Sequence, residues 1–173
     1  CPGTDDALIG TPCNDFDPTT INDIYTTACL CQGQTVSNPQ SRYSLQTGNI
    51  PGTIQAEYYD NGGQGIAYND DSSKNGDANF RSDTNVDSKQ GNGTYQVGWT
   101  SNGEWLEYTV DVTLGTYDIT LVAAAGSTTA GGLEIALDGV QLATIDVSPT
   151  GSWANHENFT LSGIALSGGS NRV

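Results

Sequence analysis

The chain has 173 residues and carries 20 acidic against 5 basic side chains, a formal charge of -15 at neutral pH. That balance excludes nucleic acid and anionic membrane surfaces as partners, since both need a basic stripe, and it disfavours sulfated or uronic polysaccharides unless salt screens the charge or calcium bridges it. With 22 glycines, 35% hydrophobic residues and no apolar run near the length of a membrane span, neither a transmembrane segment nor a signal peptide is expected; the chain is expected to start after processing or to come from a larger protein.

Residues 1–33, "CPGTDDALIGTPCNDFDPTTINDIYTTACLCQG", hold Cys1, Cys13, Cys29 and Cys31, which are all 4 cysteines of the chain. A segment this short buries too little to fold without staples or metal, so disulfides and an oxidising, secreted or cell-surface location are expected. A bridge from Cys29 to Cys31 would be strained, which leaves Cys1 and Cys13 each pairing with one of those two, in either order. Asp5, Asp6, Asn14, Asp15, Asp17, Asn22 and Asp23 are dense enough for oxygen-ligand calcium binding. They lack the loop glycine and closing glutamate of an EF-hand, so a solvated acidic loop is the stronger reading. Residues 34–50, "QTVSNPQSRYSLQTGNI", are polar without a sustained period and are expected as a linker.

From residue 51 to 173 the pattern is short strands and turns. "TIQAEYYD" alternates, and "GTYDITLVAAAG" puts Tyr117, Ile119, Leu121 and Ala123 on one face. "LEIALDGVQLATIDV" carries Asp138-Gly139 between apolar runs, a two-residue hairpin signal. No segment has a helical period, so an all-β sandwich is predicted. "GTYQVGWTSNGEWLEYTVDV" places two tryptophans around a Ser-Asn-Gly turn. If Glu104 to Val112 is a strand, Leu106, Tyr108, Val110 and Val112 face one side and Trp105, Glu107, Thr109 and Asp111 the other. Trp105 then lies on the polar face, where a covering loop or a stacked ligand would explain it. Trp99 ends the run Tyr95, Val97, Trp99 on the apolar parity, which reads as core, at the last position before a loop.

The ordered motifs "IQAEYYD", "GIAYNDDSSKNGDANFRSDTNVD", "YQVGWTSNGEWLEYTVDV" and "TGSWANHENFTLSGIALSGGSNRV" resemble carbohydrate-binding module family 6 over nearly all of residues 50–173. The front segment is similar to the Cys/Asp-rich linker modules of secreted enzymes of marine flavobacteria. The resemblance implies a β-jelly-roll sandwich that accompanies a glycoside hydrolase domain in its parent chain. It implies a sugar clamped in end loops between the rings at Trp99 and Trp153, and a second site on the sheet face at Trp105. It further implies a structural calcium held by Gln55, Glu57, a backbone carbonyl near Arg81 and a residue of the final strand. The family pattern runs past "SNRV" into a last strand with a sugar-binding asparagine, whereas this sequence stops at Val173. The chemistry suits these residues: a pyranose offers an apolar face of C–H groups to an indole and a rim of hydroxyls to polar neighbours. Tyr68, Asn69 and Asp70 could supply the rim contacts, against loop packing as the plainer role for Tyr68.

A catalytic reading has little support. His156 is the single histidine, no hydrolase, zinc or phosphate-loop motif occurs, and Glu104 and Glu107 point to opposite faces of one strand, a poor arrangement for flanking a glycosidic bond. The expectation is a monomeric, non-catalytic module for a neutral polysaccharide, β-1,3-glucan (laminarin) ahead of agar and xylan. The competing class is a calcium-stabilised structural or adhesion module in which no tryptophan is open to a ligand.

Overall fold

The computed structural model describes residues 8–16, 20–35, 40–72, 80–91, 93–128 and 131–173. The chain forms two compact units, Cys1–Pro39 and Gln40–Val173. Among the described residues there is no α-helix, and no helix is long and apolar enough to cross a membrane.

In the first unit, β1 (Thr20–Tyr25) and β2 (Cys31–Thr35) form an antiparallel hairpin. A disulfide joins Cys13 to Cys31, with their Cα atoms 6.0 Å apart, which is one of the two pairings open to Cys13. Cys29 is also disulfide-bonded, and Cys1 lies outside the described residues. The chain before β1 adds to the hairpin, with Cys13 N–H donating to Asp23 O and Tyr25 N–H to Thr11 O. Part of the acidic loop is turned inward rather than left to water. The Asp15 carboxylate accepts from Gly33 N–H at 3.0 Å and from the Thr20 hydroxyl, and the Asp23 carboxylate accepts from Asp15 N–H at 3.0 Å. Carboxylates here satisfy backbone donors that so short a hairpin cannot pair. Asp5, Asp6 and Asp17 lie outside the described residues.

Residues 34–50 do not form a linker along their length. From Gln40 the chain belongs to the second unit: Asn49–Ile50 (β3) pairs in parallel with Asp111 and Val112. Arg42 makes an ion pair with Asp111 at 2.7 Å and donates to Thr109 O at 2.8 Å. Isolated contacts of this kind have no period, so a polar stretch containing them reads as linker.

The remaining strands are β4 (Tyr68–Asn69), β5 (Ser88–Gly91), β6 (Thr94–Val97), β7 (Trp105–Leu106), β8 (Thr109–Val112), β9 (Gly115–Ala123), β10 (Gly131–Leu137), β11 (Val140–Val147), β12 (Glu157–Leu166) and β13 (Gly169–Arg172). They pair as β13-β8-β3, β12-β9, β10-β11, β4-β7 and β5-β6, and together they make a β-sandwich. The inward face of β9 is the predicted one, Tyr117, Ile119, Leu121 and Ala123. The hairpin also forms as predicted, with Leu137 opposite Val140 and both turn residues left-handed, Asp138 at φ 49° and Gly139 at φ 74°. Left-handed φ at both central positions is the type I′ requirement that Asp-Gly meets at low cost.

The strand expected from Glu104 to Val112 is interrupted at Glu107 and Tyr108, although its parity holds. There the backbone changes partners: Glu107 N–H donates to Ala67 O, while Tyr108 and Val173 exchange both backbone bonds, at 2.8 and 3.0 Å. Leu106 and Tyr108 pack on a buried cluster of Tyr59, Ala67, Tyr68 and Val86, and Tyr108 also meets a second cluster of Val110, Val112, Leu137 and Leu166. Val110 is fully buried, a contribution of about 1.5–3 kcal/mol. The buried Asp60 carboxylate is satisfied by Thr109 N–H and hydroxyl and by the Gln40 amide.

Candidate functional site

Trp99 follows the end of β6 and adopts φ 52°, a left-handed conformation that is uncommon for a bulky residue. This turn of the backbone breaks the alternation, so the indole leaves the parity of Tyr95 and Val97 and is 53% exposed. The core reading from period is therefore corrected: period applies only while the strand continues, and the strand stops at Val97.

The segment 98–104 is tied down by Gly98 N–H to Asp87 O, by Ser101 N–H to a Glu104 carboxylate oxygen at 2.7 Å, and by the Asn69 amide to Gly103 O at 3.0 Å. Antiparallel pairing of Asn69 with Trp105 sets Asp70 near Glu104. The carboxylates of Asp70, Asp71 and Glu104 come within 4.8 Å of one another. The second Glu104 oxygen, Oε1, is buried with no hydrogen-bond partner. Burial pushes the Glu104 carboxyl above its usual range, and the charge of Asp70 adds to the effect. Three converging carboxylates form an all-oxygen donor set of the kind that hard cations accept. The sequence carried the signal in "YNDD" and "GEW", but only the β4–β7 register joins them.

Tyr68 is not a rim residue. It is 5% exposed, and its ring stands edge-on to Tyr59 at 5.5 Å, so neither face is open to a sugar; the β4 position that carries it points into the core. Asp70 is buried as well, fixed by Gln64 and Ser72. Asn69 is spent on Gly103 and Gln64. Trp105 is 38% exposed, on the polar side as alternation requires. With Glu107, Ala136, Gly139, Arg172 and Val173 it lines a cavity of about 300 Å³.

Trp153 sits between β11 and β12 in a turn closed by Asn155 N–H to Ser152 O at 3.1 Å, and is 71% exposed. Its loop is bound to the one after β9 through the buried Thr150: Thr150 N–H donates to Ala125 O, and its hydroxyl accepts from Ala125 N–H. The Asn155 amide donates to Thr150 O at 2.7 Å.

The residues proposed for calcium are distributed as follows. Glu57, in the 3₁₀ turn Ala56–Tyr58, is 3% exposed and accepts from the Thr94 hydroxyl at 2.8 Å. Gln55 precedes that turn and is exposed. The Arg81 carbonyl accepts from both the N–H and the hydroxyl of Thr84. The Arg81 guanidinium lies over the rings of Tyr43 and Tyr59, at 4.5 and 3.9 Å, and donates to Tyr59 O and Asp60 O. Gln55 and Glu57 carry side-chain oxygens, the ligand type that calcium takes, with Glu57 buried and Gln55 exposed; the Arg81 carbonyl has both lone pairs engaged by Thr84.

The sandwich thus carries Trp99 and Trp153 exposed in the loops after β6 and between β11 and β12. The model of carbohydrate binding module (family 6) matches residues 75–168, just over half of the chain, and the chain belongs to that family, whose members bind carbohydrate. A β-agarase, AgaA of Microbulbifer thermotolerans, is 33% identical over 86 residues, covering 49% of this chain and 19% of the agarase. The chain thus spans a small part of the curated relative that it matches.

Proposed function

We propose that the module binds a neutral polysaccharide without acting on it, by stacking a sugar between Trp99 and Trp153, and that it serves a secreted, polysaccharide-degrading parent enzyme. The observation that carries this reading is the exposure of those two indoles, 53% and 71%, on loops fixed by backbone hydrogen bonds. Chain direction supports their meeting: β8 and β9 are joined by two residues, so the loop before β7 and the loops after β9 and before β12 lie toward one end of the sandwich. The excess of negative charge favours an uncharged glycan. The agarase relative favours agar-type galactans over the β-1,3-glucan suggested by sequence, which stands as the second ligand to test. Trp105 beside its cavity is proposed as a weaker, separate sugar contact.

Isothermal titration of the full chain against agarose oligosaccharides, laminarin, xylan and cello-oligosaccharides tests this. Saturable binding to one of them is expected, in the range of roughly 10–1,000 μM. Trp153→Ala should weaken it roughly tenfold or more with the fold kept, because stacked area is lost from a side chain that stays 71% exposed. No binding across the panel by folded protein, or unaltered binding in the variant, would sink the reading.

A further inference from the structure

We infer that Gly126 is the seat of the Trp153 ring, a positioning residue that sets which indole face is offered to a ligand; this rests on the stacking role proposed for Trp153. A Cβ placed on Gly126 would stand 2.6 Å from both Cδ1 and Nε1 of Trp153 and 2.7 Å from Cδ2. Near-equal distances to three atoms of the five-membered ring put that point over the ring face, not beside its edge. One face of the pyrrole therefore rests on bare backbone at Gly126, while the side chain as a whole stays 71% exposed. The ring is covered on one side and open on the other, the arrangement that a stacking platform needs.

The seat is rigid because both of its halves are tied together. Thr150, 8% exposed, bonds Ala125 through its backbone N–H at 2.9 Å and its hydroxyl at 3.0 Å, and its hydroxyl also donates to Ser152 O at 3.1 Å. The residues just before Gly126 and Trp153 are thus linked through one buried threonine. Without a side chain at Gly126 the indole can settle against the loop; with one, a gap under 3.0 Å would force either the ring or the loop to move. The ring is the mobile partner, exposed and turning about two bonds. Gly126 does not occupy the left-handed region, so alanine is compatible with its backbone and changes only the space beneath the ring. A ring held in its binding orientation loses less freedom on complex formation, so displacing it should lower affinity without removing any ligand contact.

The test uses the full chain and four forms: wild type, Gly126→Ala, Trp153→Ala and the double variant. In a ¹⁵N-correlated spectrum the indole N–H signal that vanishes in Trp153→Ala identifies Trp153. In Gly126→Ala that signal should shift strongly while those of Trp99 and Trp105 stay in place, and affinity for the glycan found by titration should fall roughly fivefold to tenfold. The melting temperature should show coupling, with Gly126→Ala costing stability only while the indole is present. An unmoved Trp153 signal with additive melting temperatures overturns the inference, whatever the glycan result. A moved signal and coupled stabilities with binding insensitive to Trp153→Ala would uphold the seat and refute the stacking role. If Gly126→Ala folds poorly, recovery of folding in the double variant supports the seat, and failure of both refutes it.

Discussion

Glu104 shows how a single side chain can hold opposed demands. One oxygen closes the turn by accepting from Ser101 N–H, while the other is buried without a partner near Asp70 and Asp71. Its carboxyl is pushed up, first by burial and then by its neighbour's charge. The folded chain therefore holds this proton more tightly than the unfolded chain, whose value is about 4.3. Stability from this group is highest below the unfolded value, falls as pH rises through the folded one, and stays low at neutrality. Glu104→Gln keeps the acceptor for Ser101 and removes the charge. In buffer with a chelator, the variant should melt above wild type at pH 7, and the gap should shrink toward pH 4; a gap of constant size would show that the charge is not the cause. Alternation puts Trp105 on the polar side, where it is exposed, while the exposure of Trp99 and Trp153 is legible only through the family resemblance. Period alone makes Trp99 core, because no local pattern marks the left-handed backbone at its position, and none marks the packing of Tyr68 against Tyr59.

At the scale of elements, legibility followed period. β9 showed its inner face through strict alternation, and the β10–β11 turn was marked by Asp138-Gly139, because both signals are local. β3 and β4, at two residues each, have no period to read, and their existence depends on β8 and β7 across the fold. The 3₁₀ turn Ala56–Tyr58 was hidden similarly inside a stretch that alternates as a strand would. That turn carries Glu57 inward to Thr94 of β6, and a calcium ion held by Gln55 and Glu57 would brace the turn and stabilise the folded state by binding it. Chelation should lower the melting temperature by several degrees, with full recovery on adding calcium. Glu57→Gln should remove the response to calcium while keeping the bond from Thr94. An identical melting curve with and without chelator would count against the ion.

For the whole molecule, the two units draw on different sources of stability. The second has buried clusters on both sides of Tyr108 and contains no cysteine. The first is a short hairpin with no buried apolar side chain among the described residues, where Phe16 and Leu30 stand at 88% and 64% exposure. Little hydrophobic burial is available there, and an isolated hairpin is marginal at best. Closing the 18-residue separation between Cys13 and Cys31 restricts the unfolded chain by about 3 kcal/mol, and Cys29 is held by a disulfide as well. Reduction should therefore unfold the first unit alone. Hydrogen exchange on the full chain should then show Cys13, Tyr25 and Gly33 amides losing protection under reductant, while Val110 and Ile119 keep theirs and the main melting transition stays in place. Protection retained at Gly33 after reduction would mean that the carboxylate bonds of Asp15 and Asp23 hold the hairpin unaided. A fall in the main transition would mean that the sandwich draws stability from the disulfide-bonded unit.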